Sequence, residues 1–290
     1  MGKIRMMIVA VFLASCVIFA GYTVKTSRLE DHTPPVITCD KDVITVKTSA
    51  DHEELLKGVT AMDDKDGDIT DSVRVSALSH FVEKGKRTIT YIVFDQANQA
   101  GTAQRTVIYS DYETPKIFLS EPLRYTISQA EKGNLAENFT AEDCLDGDLT
   151  KQLRISIEDT YYAYLTGEHG ITVQVSNSAG DVRAIPMTVT LIDSTDREEN
   201  AKNYPVLSEY IVYTKVGEEL KFSSYIEGMA RGNQTYSFEK DADLLSMEKS
   251  DIKIEEEVNY SVPGVYPVEY SYTTEEGITA VTRLYAVVEE

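Results

Sequence analysis

The segment GVTAMDDKDGDIT at residues 58–70 is written a second time at 138–150 as NFTAEDCLDGDLT. Asp63, Asp66, Gly67, Asp68 and Thr70 correspond to Asp143, Asp146, Gly147, Asp148 and Thr150 at a constant offset of 80. Pro35-Val36-Ile37 and Pro115-Lys116-Ile117 keep that offset, and RTITYIVFDQANQAG at 87–101 returns in shorter form as HGITVQVSNSAG at 169–180. Each copy closes on a strand-like run, TVIYSD or TVTLID. A repeat at this period predicts a domain-scale duplication. A third stretch, from Tyr204, keeps only the ending: VPGVYPVEYSYTTEEGITAVTRLYAVV at 262–288 aligns with the closing half of the first copy, while EGMARGNQTYSF stands where the acidic loop would be.

Around these loops the apolar residues alternate with period two: Val73, Val75 and Ala77; Ile89, Tyr91 and Val93; Ile171, Val173 and Val175; Val268, Tyr270 and Tyr272. Short alternating runs rich in Val, Ile, Thr and Tyr, broken by Gly, Asp and Asn, predict β-sandwiches. The layout Pro-x-Ile, then A-x-D-x-x-D-G-D-[IL]-T, then G-x-x-x-(I/V)-x-Y and a terminal strand ending in Asp resembles the bacterial immunoglobulin-like domain. That family occurs in tandem on Gram-positive surface proteins and in one class of pesticidal crystal toxins, and is sometimes described as HYR-like. The resemblance is clear over 34–112 and 113–194 and reaches only the C-terminal half of 204–290. It implies an all-β fold of tandem Ig-like β-sandwich domains, used as spacer or adhesive surface and without catalysis.

The acidic loops have two readings. Asp63, Asp66 and Asp68, with Asp143, Asp146 and Asp148, place hard oxygen ligands around a glycine turn, the composition a Ca²⁺ loop needs. Equally, Asp-Gly favours tight turns, and Asp and Thr side chains can hold the backbone of a loop by hydrogen bonds. In the second copy Cys144 replaces Asp64. Strand order in a seven-stranded sandwich brings the acidic loop and the loop between the last two strands to one pole. Asp31 and Asp95 are then expected beside Asp63, Asp66 and Asp68 in the first copy, with Asn177 beside Asp143, Asp146 and Asp148 in the second.

With 28 Lys+Arg against 48 Asp+Glu the formal charge is −20, which argues against nucleic acid as partner. Met6 to Val24 is an uncharged apolar segment of 19 residues preceded by Lys3 and Arg5. At about 1.5 Å per residue it comes close to hydrocarbon thickness, with the N-terminus in the cytoplasm and 25–290 outside. Three readings fit: a signal anchor, a lipoprotein signal ending at Cys16, or a secretory signal cleaved after Ala20. Cys16, Cys39 and Cys144 fall in different parts of the chain, so disulfides are not expected to hold the fold. His32, His52, His80 and His169 stand without metal-ligand spacing, and no nucleophile turn, P-loop or dinucleotide motif occurs. Asn138, Asn233 and Asn259 open glycosylation sequons, which carry no weight in a bacterial protein. The expected organisation is a signal anchor or signal peptide (1–24), a tether (25–33), two Ig-like domains (34–112 and 113–194) and a divergent third (204–290). The short linker SDYETP predicts a stiff first joint and the charged STDREENAKNY a looser second one. The expected function is a non-enzymatic, membrane-anchored surface protein that binds protein or glycan in adhesion or envelope assembly. The alternative is a passive structural stalk or spacer, with or without calcium in the acidic loops to stiffen it.

Overall fold

The structure, a computed structural model, describes residues 2–29, 31–132, 134–157, 165–232 and 234–290. Glu30 of the expected tether and Asn233 of one sequon therefore lie outside the described residues. The chain forms two compact units, Met1–Tyr112 and Glu113–Glu290. An apolar helix α1 (Gly2–Leu29) opens the first; its span Gly2–Lys25 has a mean hydropathy of 2.3, buries nothing against protein and is long enough to cross a membrane. Because α1 continues to Leu29, helix occupies much of the stretch read from sequence as a tether.

The rest of the first unit is a sandwich. Strands β1 (Val36–Cys39), β2 (Val43–Val46), β3 (Val59–Asp63), β4 (Gly67–Asp68), β5 (Arg74–Glu83), β6 (Lys86–Phe94) and β7 (Ala100–Tyr109) form a three-stranded sheet β1-β3-β4 and a four-stranded sheet β2-β7-β6-β5, in which β2 runs parallel to β7. Alternation decides which residues face inward: Val59, Ala61 and Asp63 of β3, and Arg87, Ile89, Tyr91 and Val93 of β6, are buried. Tyr91 lies at the centre, and its hydroxyl donates to the carbonyl of Leu55 (2.6 Å) while accepting from Arg105 Nε (2.6 Å). Arg105 also donates to the carbonyls of Leu55 and Lys57, so this buried cation is hydrogen-bonded as its burial demands.

The second unit repeats this strand order twice. Strands β8 (Lys116–Leu119), β9 (Arg124–Thr126), β10 (Phe139–Asp143), β11 (Gly147–Asp148), β12 (Arg154–Ile157), β13 (Gly167–Ser176) and β14 (Val182–Ile192) give sheets β8-β10-β11 and β9-β14-β13-β12. Strands β15 (Asn203–Leu207), β16 (Ile211–Lys215), β17 (Ile226–Arg231), β18 (Gln234–Ser237), β19 (Lys253–Glu256), β20 (Gly264–Thr273) and β21 (Thr279–Glu289) give β15-β17-β18 and β16-β21-β20-β19. The third sandwich therefore keeps the strand order even where its sequence departs from the other two.

The second joint is packed, contrary to the loose linker expected from its charge. Residues Arg197–Ala201 of that linker form a short helix, α2, capped by Asp196, and one buried apolar cluster runs through both sandwiches. Strand β21 shows why. Leu284 to Val288 is an unbroken buried run, the pattern of a strand covered on both faces. Two tyrosine hydroxyls then close open strand edges: Tyr213 Oη accepts from the Ile117 N–H (2.7 Å) and donates to its carbonyl (2.9 Å), and Tyr285 Oη does the same at Thr188 (2.7 and 3.3 Å). Burial pushes the Tyr213 phenol up to about 12. Arg183 pairs with Glu289, Arg283 with Glu168 and Glu269, and the Arg124 guanidinium stacks 3.5 Å from the centre of the Tyr204 ring.

Candidate functional site

The acidic loop of the first sandwich is the tip of the β3–β4 hairpin. Asp63 pairs with Gly67 across it, and Gly67 takes φ +73°, a left-handed conformation that glycine adopts without strain. Each polar residue of the motif has a bond to make. Asp63 Oδ1 accepts from the N–H groups of Lys65 (2.9 Å) and Asp66 (2.8 Å), Asp68 Oδ1 accepts from Thr70 N–H (3.0 Å), and Thr70 Oγ1 accepts from Ala61 N–H (3.0 Å). Asp66 Oδ2 reaches the β6–β7 loop and accepts from Gln96 N–H (2.7 Å), so the two loops meet at one pole as the strand order requires. In that second loop Asp95 Oδ1 accepts from Gln99 N–H (2.7 Å), and Asn98 takes φ +65°.

The second sandwich builds the same pole with nearly the same distances. Asp143 Oδ1 accepts from Leu145 N–H (2.8 Å) and Asp146 N–H (3.1 Å), Asp148 Oδ1 from Thr150 N–H (2.9 Å), and Thr150 Oγ1 from Ala141 N–H (3.1 Å). Asp146 accepts from both the N–H (2.6 Å) and hydroxyl (2.7 Å) of Ser178, as Asp66 accepts from Gln96. Asn177 occupies the place of Asp95, and its Oδ1 accepts from Asp181 N–H (2.9 Å). Gly180 (φ +81°) occupies the place of Asn98.

The poles differ in the remaining oxygens. In the second, Asn177 Nδ2 donates to Asp143 Oδ2 (3.1 Å), and both side chains are buried. In the first, Asp63 and Asp95 are only 6% and 7% exposed, and the Oδ2 of each is buried without a hydrogen-bond partner; Gln99 Nε2 is a third such atom. Asp31, just ahead of β1, completes the group: ligand oxygens of Asp31, Asp63 and Asp95 all lie within 4.8 Å of one another. Of the six carboxylates singled out in the loops, only Asp63 joins such a group among the described residues, while Asp66, Asp68, Asp143, Asp146 and Asp148 hold backbone. The donated N–H groups, led by that of Asp66, hold Asp63 below the ordinary carboxylate range, with the exposed Lys65 adding a smaller attraction. Thr70 and Thr150 do the same for Asp68 and Asp148. Cys16, Cys39 and Cys144 form no disulfide among the described residues.

Residues 39–108 match the model of the Ig-like domain of bacterial surface proteins. The first sandwich is a bacterial surface Ig-like domain. No curated protein sequence matches the chain at a significant level. Among solved structures, the CBM51-2 and INT domains of Clostridium perfringens ZmpB, in complex with GlcNAc, are 18% identical over 52% of this chain and 26% of theirs, with a TM-score of 0.22. Drosophila N-cadherin EC1-4 is 10% identical over 89% of this chain and 76% of its own (TM-score 0.21). The lipoprotein BT2262 of Bacteroides thetaiotaomicron is 11% identical over 86% and 98% (TM-score 0.19). The chain thus spans about a quarter of the clostridial structure, and likenesses this low carry nothing on function. The Ig-like domain and the apolar helix ahead of it are the features that bear on where the protein works.

Proposed function

We propose that the protein is a non-enzymatic envelope protein, held in the cell membrane by α1 with residues 25–290 on the outer side, that acts by binding protein or glycan in adhesion or envelope assembly. The observation that carries this reading is the surface Ig-like match of residues 39–108 in a chain opened by a helix able to cross a membrane. Lys3 and Arg5 ahead of the apolar run favour a cytoplasmic N-terminus, and a net charge of −20 disfavours nucleic acid as ligand. The test is protease treatment of intact cells carrying a tag after Glu290, with crosslinking in place. Loss of the tag from a membrane-retained protein, with a discrete crosslinked partner, supports the reading; a protected tag sinks the topology.

A second reading, the passive spacer, is favoured by the packed joint between the second and third sandwiches. Five tyrosines of the third sandwich are used internally: Tyr204, Tyr210 and Tyr270 are buried, and Tyr213 and Tyr285 bind the neighbouring sandwich. Replacing residues 113–290 by an unrelated rigid rod of equal length separates the two. A spacer keeps its function after the exchange, and a binding protein loses it.

A further inference from the structure

Two buried carboxylates with an unmet oxygen each cannot be left side by side. A buried unpaired charge is among the costliest features a fold can carry, and native structures pair it or bind a metal. The first sandwich offers no described hydrogen-bond partner to Asp63 Oδ2 or Asp95 Oδ2, and Asp31 brings a third carboxylate to the same point. A Gln99 amide turned toward the pair could donate to both oxygens, but it is uncharged and would still leave three negative charges together. The second sandwich shows what the fold does without that surplus: it substitutes an amide for Asp95, and Asn177 Nδ2 fills the gap by donating to Asp143 Oδ2. A donor stands between the loops in one copy, so an electron-pair acceptor is required in the other.

We propose that a calcium ion bound by Asp31, Asp63 and Asp95 takes the place in the first sandwich that the Asn177 amide takes in the second. Three carboxylate oxygens and no histidine or cysteine specify a hard cation. A mutual spacing within 4.8 Å is the span available to oxygens that each stand about 2.4 Å from one ion. Two of the three ligands are fixed in advance, because Oδ1 of Asp63 and of Asp95 is tied to backbone N–H groups while Oδ2 of each is buried and left without a partner. Asp31 is similarly held through Thr33 N–H, which donates to its Oδ1 (3.0 Å). The remaining coordination falls to water, which places the affinity among extracellular modules, with a dissociation constant on the order of 10⁻⁴–10⁻³ M. Because Asp31 follows α1 closely in the chain, the ion ties the segment leaving the apolar helix to the β3–β4 and β6–β7 loops. Calcium outside the cell would therefore fix the root of the first sandwich.

The experiment is calorimetric titration of calcium chloride into the full-length protein in detergent, stripped of metal with a chelator, with melting followed in parallel. One saturable site and a calcium-dependent rise in the first unit's melting temperature are expected. Affinity should fall at least tenfold in Asp31→Asn and in Asp95→Asn and stay unchanged in Asp146→Asn of the second sandwich, and magnesium should bind more weakly. Asp31 lies outside every strand, and Asp95→Asn reproduces the amide that the second sandwich already tolerates, so neither variant depends on a rescued fold. Absence of saturable heat would overturn the proposal in favour of a proton shared within the group. Heat that survives both substitutions would overturn it in favour of diffuse binding to the acidic surface.

Discussion

The poles of the first and second sandwiches share one construction, and one exchange of atoms between them changes how the first aspartate is met. The hairpin, the left-handed glycine, the aspartate turn, the threonine that accepts from an alanine N–H and the carboxylate reaching the next loop all recur with closely similar distances. At one position an oxygen in the first sandwich is a nitrogen in the second, Asp95 Oδ2 against Asn177 Nδ2, and that exchange separates an orphaned carboxylate pair from a closed hydrogen bond. Most of the D-x-x-D-G-D-x-T motif is thus turn chemistry, and its composition does not report metal. What reports metal is the partner that the first aspartate meets across the pole.

The largest effect should come from removing that first aspartate where no ion is needed. Asp143→Ala deletes the acceptor of two loop N–H groups and of the Asn177 amide, leaving buried donors unmet. A loss of about 3 kcal/mol is expected, seen as an earlier denaturant midpoint for the second unit that calcium does not restore. Asn177→Asp should follow, at about 2 kcal/mol, since it converts the closed bond into the carboxylate pair of the first sandwich. Faster hydrogen exchange at the Ser178 amide is the local readout, and unchanged exchange would mean that the pole does not depend on this bond. Asp95→Asn is the inverse change. In chelator it should stabilise the first sandwich by about 1 kcal/mol over the unsubstituted protein, by supplying the donor that Asp63 Oδ2 lacks. If it destabilises under those conditions, the equivalence of the two poles fails.

Much of this was legible in the sequence. The offset of 80 marked both hairpins, period-two alternation placed the core, and strand order brought Asp31, Asp63 and Asp95 to one end. The exchange of Asp95 for Asn177 was also visible in the aligned loops. Its meaning was not, because that depends on which oxygen of each carboxylate the backbone uses, a matter of side-chain rotamer that no pattern of residue types records. The second joint was misread for a related reason. A charged linker reads as solvated chain, yet the joint is made elsewhere, by Tyr213 and Tyr285 hydroxyls on strand edges that only the assembled sheets expose. The third sandwich kept its strand order without the acidic loop because pairing follows alternation, while the loop only closes one end.

Acid should act on one equivalent pair of turn carboxylates alike, and this smallest effect is the control for the others. Asp68 and Asp148 occupy equivalent places, and each is held below the ordinary carboxylate range by the hydroxyl and N–H of a threonine two residues on. A folded value below the unfolded one means that this contribution is complete above the ordinary aspartate range near 4 and is lost as pH falls through the folded value. Neither carboxylate depends on what fills the gap beside Asp63, so both should titrate together, with or without calcium, when followed by carboxylate NMR shifts. Divergence of the two curves would mean that the difference between the poles extends past Asp95 and Asn177 into the turn itself. Coincidence would place it outside the turn, where an ion in one sandwich and a donated hydrogen bond in the other meet the same oxygen of the first aspartate.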